Sequence, residues 1–275
     1  MRNDRDKHPL ARMLLVGLVA SAVGIAIALA IDWFPPAATT SAHEIDTLYD
    51  VLLIVSVPIF VLVMTVAIYS VVRFRARDGD MRDGEPIHGN TRLEVAWVAV
   101  PTIIVSVLAA YAWIVLNDVE AKKPNEMHVR VIAQQFAWHF QYLDAGDHNV
   151  TTTTLYLPKD RPVYFDVVTR DVIHSFWVPS FRLKTDTVPG LTTHIRVTPN
   201  KYGSYDIVCA ELCGLGHSTM RQYAHVVSQQ AFQGWLAQQQ KGASGAPAGG
   251  AAPAPAGGSA PGPSASTTSP TIPAN

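Results

Sequence analysis

The most informative segment of the chain is Cys209-Ala210-Glu211-Leu212-Cys213-Gly214-Leu215-Gly216-His217-Ser218-Thr219-Met220. It places two thiols, an imidazole and a thioether within one short segment. Soft sulfur ligands select copper or zinc, and the thioether favours copper, because a weak Met ligand beside His and Cys is typical of electron-transfer copper sites. Two cysteines this close in sequence can bridge a pair of copper ions, and each ion then needs its own imidazole.

The second imidazole is expected from His174, which lies in the short apolar segment 171–179 at the predicted end of a strand. The remaining histidines considered have no sulfur nearby in sequence and are expected to be ordinary loop or strand residues: His43, His88, His148, His128, His139, His194 and His225. A disulfide between Cys209 and Cys213 is the alternative on an oxidising side of a membrane. It would leave the spacing of Glu211, His217 and Met220 unexplained.

The metal-binding segment lies near the end of a β-rich region, residues 124–228. Short β-branched and aromatic runs alternate there with turn signals such as Pro158-Lys159-Asp160 and Pro189-Gly190. This pattern predicts a β-sandwich or Greek-key barrel of about 100 residues. Residues 229–240 are expected to form a helix. Residues 241–275 are almost entirely Ala, Pro, Gly, Ser and Thr, which predicts a disordered tail.

Three uncharged apolar runs precede the β-rich region, at residues 13–31, 51–72 and 95–116. Each is close to the roughly 20 residues that cross a bilayer core, so transmembrane helices are predicted. The last two form a hairpin over residues 48–117. The first run is either a third helix or a cleaved signal peptide, because the small residues Ala28 and Ala30 follow a basic stretch and an apolar core.

The distribution of arginine predicts the orientation in the membrane. The connection between the second and third runs holds Arg73, Arg75, Arg77, Arg82 and Arg92, whereas residues 32–50 hold no Lys or Arg. By the positive-inside rule, residues 1–12 and the arginine-rich loop are cytoplasmic, and everything after residue 117 lies outside. We therefore expect a multi-pass protein of a bacterial-type plasma membrane, with its metal domain on the outer face.

Composition excludes several other classes. The chain has 275 residues, a formal net charge of -1 and 48% hydrophobic residues. It therefore lacks the excess of positive charge typical of nucleic-acid-binding proteins, and it is not an acidic disordered protein. Two cysteines are too few for a disulfide-dense secreted scaffold or a four-cysteine zinc site. No haem-attachment motif Cys-x-x-Cys-His is present, which excludes a fused cytochrome c domain.

The pattern Cys-x-Glu-x-Cys-x-x-x-His-x-x-Met, preceded by His-Ser-Phe-x-x-Pro, resembles the dinuclear copper A site of the cytochrome c oxidase subunit II family. The resemblance extends over residues 51–227 and implies a helix hairpin followed by a cupredoxin-like Greek-key sandwich. It also implies the ligand set. Cys209 and Cys213 would bridge both coppers, His174 and Met220 would complete one, and His217 with the backbone carbonyl of Glu211 would complete the other.

The resemblance implies two further sites. The Glu211 carboxylate would help to hold a magnesium ion shared with subunit I, and a hard cation does prefer carboxylate oxygen. Glu94 falls at the family's position for a carboxylate near the entrance of a proton path. An ordinary helix-start Glu, stabilised by the helix dipole, is the equally weighted alternative for Glu94.

The implied function is that of an oxidase subunit, part of a proton-translocating oxidoreductase. Electrons arrive from a c-type cytochrome at copper A and leave for haem in subunit I, which assembles with other oxidase subunits and reduces oxygen. The family usually has Gln-Trp-x-Trp here, whereas this chain has Gln135-Phe136-Ala137-Trp138. Phe136 and Trp138 are therefore the candidate entry patch.

Three alternative functions fit the sequence to different degrees. A quinol oxidase subunit shares the hairpin but lacks the copper ligands, so the complete ligand set argues against it. The copper A subunit of a nitric-oxide reductase would differ chiefly in its large partner. A membrane-tethered copper carrier belongs to another class, and it would need exposed, exchangeable ligands rather than a closed set.

Overall fold

The computed structural model of the protein describes residues 9–75, 79, 86, 88–145 and 149–245. Several predictions fall elsewhere: those for residues 1–8, Arg77, Arg82, His148 and the tail from residue 246 lie outside the described residues. The described chain forms three long apolar helices followed by a β-sandwich and a final helix. The predicted fold class is confirmed.

The three apolar helices are α1 Pro9–Ala30, α2 Ala42–Phe74 and α3 Thr91–Glu120. All three are long and apolar enough to cross a membrane. Their large side chains point outward, with Leu18, Phe60 and Val107 each more than 60% exposed, as suits a surface facing lipid. At about 1.5 Å per residue, the 33 residues of α2 extend about 50 Å, so α2 continues beyond a core of about 30 Å.

Helix α1 packs against α2 through a small residue. A Cβ atom added to Gly24 would lie 2.8 Å from Val57 Cγ1, so glycine allows this close approach. Beyond the end of α1, the rings of Trp33 and Phe34 pack edge-on against Tyr49 of α2, with centroid distances of 6.1 and 5.0 Å. The two helices and their connection therefore form one packed unit.

The sandwich consists of two five-stranded sheets with the orders β3-β2-β1-β5-β8 and β4-β10-β9-β6-β7. The strands are β1 Met127–Gln134, β2 Ala137–Tyr142, β3 Val150–Thr152, β4 Leu155–Pro158, β5 Val163–Thr169, β6 His174–Val178, β7 Leu183–Thr187, β8 Thr193–Val197, β9 Gly203–Cys209 and β10 Arg221–Val227. Most neighbours are antiparallel, but β1 pairs with β5 and β10 with β4 in parallel, so the chain crosses between the sheets. Buried side chains from both sheets, among them Phe140, Phe165 and Ile207, fill the core.

The last helix, α4 Gln229–Gly245, covers one end of the sandwich. Phe232 is buried, and the ring of Trp235 stacks on Tyr156 at a centroid distance of 4.5 Å. The helix ends five residues beyond the predicted boundary at residue 240. The first residues of the predicted tail are thus helical.

The connection between α1 and α2, residues 31–41, lies against the sandwich, and we call it the strap. The Ala38 N–H donates to Ser180 O at 2.9 Å, and the Asn200 N–H donates to Ala38 O at 2.9 Å. Ala38 and Thr39 are buried. The strap thereby joins the helices to the β-domain at a second point, besides the segment that follows α3.

Candidate metal centre

The predicted metal ligands converge at one end of the second sheet. His174 begins β6 and Cys209 ends β9, and these two strands are neighbours, with Phe176 opposite Cys209. The loop after β9 carries Cys213, and a 3₁₀ turn at His217–Thr219 returns the chain to Met220, just before β10. Strand pairing thus brings His174 to a loop that lies 35 residues further along the chain.

The side chains form a continuous cluster. Cys209 Sγ lies 3.9 Å from Cys213 Sγ and 3.8 Å from His174 Nδ1. On the other side, Cys213 Sγ lies 3.7 Å from His217 Nδ1 and 3.9 Å from Met220 Sδ. Both cysteines are free. Because metal–sulfur bonds are about 2.3 Å long, a single ion can reach both sulfur atoms at this separation.

A backbone oxygen completes the donor set. The Glu211 carbonyl lies 3.2 Å from Cys209 Sγ, whereas the Glu211 side chain is exposed. The structure therefore brings together all six predicted donors: two thiols, two imidazoles, a thioether and a carbonyl. Soft sulfur donors beside imidazoles suit copper, whereas hard cations prefer oxygen donors.

Burial removes four of the donor side chains, those of His174, Cys209, Cys213 and Met220, from water. His174 and Met220 are fully buried, and Cys213 is 4% exposed. Burial and the neighbouring Cys209 raise the pKa of the Cys213 thiol to about 11. A bound cation acts in the opposite direction, because a coordinating thiol is deprotonated by the metal. The arrangement suits a closed site with a permanent ion.

Residues that the sequence interpretation missed hold His174 in place. His174 Nε2 lies 2.9 Å from Asp171 Oδ1, so the other ring nitrogen faces Cys209. The backbone N–H of His174 donates to Thr187 Oγ1 at 3.1 Å, and that hydroxyl donates to His174 O. A carboxylate three residues before a ligand His was the available signal for Asp171. No sequence pattern indicated that Thr187 would hold His174.

Asp171 is itself tied to the adjoining turn. Burial opposes its ionisation, but hydrogen bonds from the Gln135 N–H, from His174, from the Val172 N–H and from Thr169 lower the pKa of Asp171 to about 2. The Gln135 N–H donates to Asp171 Oδ2 at 2.6 Å. The Gln135 side-chain amide also donates to Cys213 O at 2.7 Å. Gln135 therefore links the partner of one ligand to the loop that carries another.

The two aromatic candidates for electron entry lie at different depths. Trp138 is 1% exposed, with its ring 6.1 Å from the His174 ring and 5.4 Å from Phe176. Phe136 is 39% exposed and lies over the metal loop, where a Cβ added to Gly216 would be 2.4 Å from its ring. The exposed part of the predicted entry patch is therefore Phe136 alone.

Glu94 and the N-cap residue Asn90 exchange hydrogen bonds at the start of α3. The Asn90 N–H donates to Glu94 Oε1 at 3.0 Å, and the Leu93 N–H donates to Asn90 Oδ1 at 3.2 Å. These reciprocal bonds satisfy backbone N–H groups that otherwise have no partner at the start of a helix. The helix-start role of Glu94 thus has a direct structural basis.

Comparisons with known proteins identify similar chains. The family described as cytochrome c oxidase subunit II, transmembrane domain, matches residues 25–115, and the periplasmic domain of the same subunit matches residues 149–227. A cytochrome c oxidase subunit 2 from Synechocystis sp. is 30% identical over 271 residues, covering 82% of this chain and 81% of the relative. The protein of that name from Thermostichus vulcanus is 30% identical over 281 residues, covering 82% of this chain and 84% of the relative.

A solved structure is also similar to part of the chain. It is the periplasmic domain of subunit II of cytochrome oxidase from Bradyrhizobium japonicum, with 24% identity and a TM-score of 0.42. The match covers 44% of this chain and 97% of that chain.

Proposed function

Since the chain belongs to the cytochrome c oxidase subunit II family, we propose that its sulfur cluster is a dinuclear copper A centre that receives electrons from a c-type cytochrome and passes them to haem in subunit I. The chain is a subunit II of a haem-copper oxidase. The observation that carries the copper proposal is the 3.9 Å separation of the two cysteine sulfurs, with an imidazole nitrogen within 3.8 Å of each.

The proposed division of the ligands between two ions is the one that the family resemblance implies, and all six donors lie within one cluster. Cys209 and Cys213 would be shared by both ions, His174 with Met220 would serve one, and His217 with the Glu211 carbonyl would serve the other. When bound, the copper pair supplies a one-electron redox centre. The protein holds His174 in place through Asp171 and Thr187, and burial excludes water from His174, Cys213 and Met220. Little rearrangement is then needed when the charge changes.

The electron donor is proposed to dock over the metal loop. Leu212 and Leu215 are 78% and 104% exposed there, beside the partly exposed Phe136. An apolar surface of this kind suits transient contact with another protein. Since Phe136 lacks the indole N–H of the usual Trp, docking at this position depends on ring contact rather than on hydrogen bonding.

Two proposed roles concern the partner subunit and proton uptake. The Glu211 carboxylate is exposed and makes no hydrogen bond or ion pair among the described residues, which leaves it available for a magnesium ion shared with subunit I. Glu94 is proposed to lie near a proton-path entrance, although its capping bonds are a sufficient reason for its presence. Magnesium analysis of a Glu211→Gln oxidase would test the first role.

We place the protein in a bacterial-type plasma membrane, with the copper domain outside and the arginine-rich loop in the cytoplasm. Three membrane-length helices and the arginine distribution support this topology. The buried ligands argue against a copper carrier, which needs exposed donors. A nitric-oxide reductase subunit would be recognised by its large partner, which copurification of the intact complex would identify.

Electron paramagnetic resonance of the purified oxidase tests the copper proposal. The oxidised protein is expected to show one unpaired electron shared equally by two coppers. A spectrum from a single isolated copper, or zinc as the bound metal, would contradict it. Metal analysis of the same sample provides the stoichiometry.

A further inference from the structure

A groove of 630 Å³ lies between α1 and α2, near the ends of these helices that carry arginine. Its walls are apolar and include Val16 of α1 with Phe60, Met64 and Ile68 of α2. Arg12 and Arg73 line the same groove, and no carboxylate of the described residues does so. The groove therefore combines a long apolar wall with two positive charges.

The groove begins close to the point where the two helices touch. Gly24 approaches Val57, and the groove lining starts at Ala20 and Phe60, about one turn away from that contact. The contact keeps the helices together on one side while space remains between them toward Arg12. The site is thus formed by the packing of this chain alone.

The length of the groove matches one leaflet of a bilayer. From Phe60 to Arg73 the rise along α2 is about 20 Å, whereas half of a hydrocarbon core is about 15 Å. If the arginines lie at the headgroup level, Phe60 lies near the middle of the membrane.

A molecule bound in this groove must contact both the apolar wall and the two arginines. Val16, Phe60 and Ile68 are 60%, 66% and 56% exposed, so they need an apolar cover. Arg12 and Arg73 need an anion in the same place. We propose that this groove binds one anionic phospholipid, with its phosphate at Arg12 and Arg73 and an acyl chain along Met64 and Phe60.

A second groove provides a comparison within the same chain. It has a similar volume of 610 Å³ and lies along α3, where Val95 and Val98 form an apolar wall. Its charged lining residue is Glu94, so the sign is opposite. An anionic lipid is therefore selected by the α1–α2 groove and repelled by this one.

Native mass spectrometry of the purified oxidase tests the proposal. The complex is placed in nanodiscs of phosphatidylglycerol and phosphatidylcholine in equal amounts, and the lipids retained on the chain are counted after detergent release. We expect retained phosphatidylglycerol on the unmodified protein and about tenfold less on the double variant Arg12→Gln with Arg73→Gln, because each arginine near the membrane surface contributes to binding of an anionic headgroup. The control Arg92→Gln, on α3, should retain as much as the unmodified protein.

Several outcomes would overturn the proposal. These are equal retention of the two lipids, unchanged retention in the double variant, and a photo-crosslinker at Val16 that captures a partner polypeptide. An intact mass showing that the mature chain starts after residue 30 would also refute it, because the groove needs α1. Copper content measured in the same samples keeps this result separate from the function proposed above.

Discussion

Arg182 of the sandwich and Asp46 of α2 form a two-pronged ion pair, with Nε 2.6 Å from Oδ1 and Nη2 3.0 Å from Oδ2. Arg182 Nη1 also donates to Pro35 O of the strap at 3.0 Å, and the guanidinium lies 4.7 Å from the centre of the Phe34 ring. One side chain thus joins the loop after β6 to both the strap and α2. This junction orients the metal domain relative to the helices.

Arg182→Ala is expected to loosen that junction without changing the metal ligands. The Arg182 side chain is only 6% exposed, so its loss should lower the free energy of unfolding by about 1–3 kcal/mol. Copper resonance should remain unchanged, whereas electron transfer from copper to haem should slow. Thermal unfolding and flash-initiated electron transfer measure the two effects.

The control for this variant is Lys159→Ala, which removes the exposed pair with Asp160. Exposed pairs contribute at most about 1 kcal/mol, so this change should alter neither measurement appreciably. Faster proteolysis within residues 31–41 of Arg182→Ala would locate the loosening in the strap. Unchanged transfer kinetics in Arg182→Ala would refute the orienting role.

Much of the architecture was predictable because its signals are local. Apolar runs of membrane length predict the helices, and the spacing of Cys209, Cys213, His217 and Met220 predicts the metal loop. The choice of His174 rested on its apolar segment, and strand pairing does bring it to Cys209.

Contacts between distant segments were not predictable from these patterns. Gln135 reaches Cys213 across 78 residues, and Arg182 reaches Asp46 across 136 residues. Such pairs depend on sheet register and on how the strap docks, which no periodicity specifies. The depth of Trp138 is a similar case, because alternation within β2 does not show which of its faces covers the metal site.

Cys213→Ser is expected to abolish the shared-valence copper signal, because a hydroxyl is a poor bridge between copper ions. Oxidase turnover should be lost while the helices still insert, since Cys213 lies in the loop after β9 and not in any of the three apolar helices. Resonance spectra, turnover and membrane fractionation check these three outcomes. Retained turnover would contradict the copper assignment.

Asp171→Asn should weaken the hold on His174 without removing a ligand. The carboxylate lies 2.9 Å from His174 Nε2, and loss of such an outer partner typically lowers metal affinity about 10–100-fold. Copper retention against a chelator measures this change. The control is Asp166→Asn, which affects a carboxylate paired with His194 away from the cluster. Equal copper retention in both variants would show that Asp171 has no special role.

Gly216→Ala should displace the metal loop. The added Cβ would lie 2.4 Å from the Phe136 ring, which is too close for any real contact. We expect an altered copper spectrum and slower electron entry from the cytochrome donor. Gly234→Ala in α4 is the matched control, because nothing lies within 4 Å of its added Cβ. An unchanged spectrum in Gly216→Ala would mean that Phe136 moves aside freely.

His225 should make the β-domain less stable in acid. Burial lowers the pKa of His225, which packs 4.8 Å from the Tyr156 ring and 2.7 Å from Ser204 Oγ. The unfolded chain, with an ordinary pKa of about 6.5, then binds the proton more strongly than the folded protein. Stability is therefore full above about pH 6.5 and is lost as the pH falls through the folded pKa.

The variant His225→Phe keeps a ring against Tyr156 but cannot take up a proton. Its melting temperature should fall less than that of the unmodified protein between about pH 7.5 and about pH 5, as followed by circular dichroism of the purified subunit. Ser204→Ala removes the hydrogen bond but keeps the imidazole, so it should retain most of the pH dependence. If His225→Phe and the unmodified protein lose stability in parallel, the acid sensitivity arises from other groups, because only His225 differs between them.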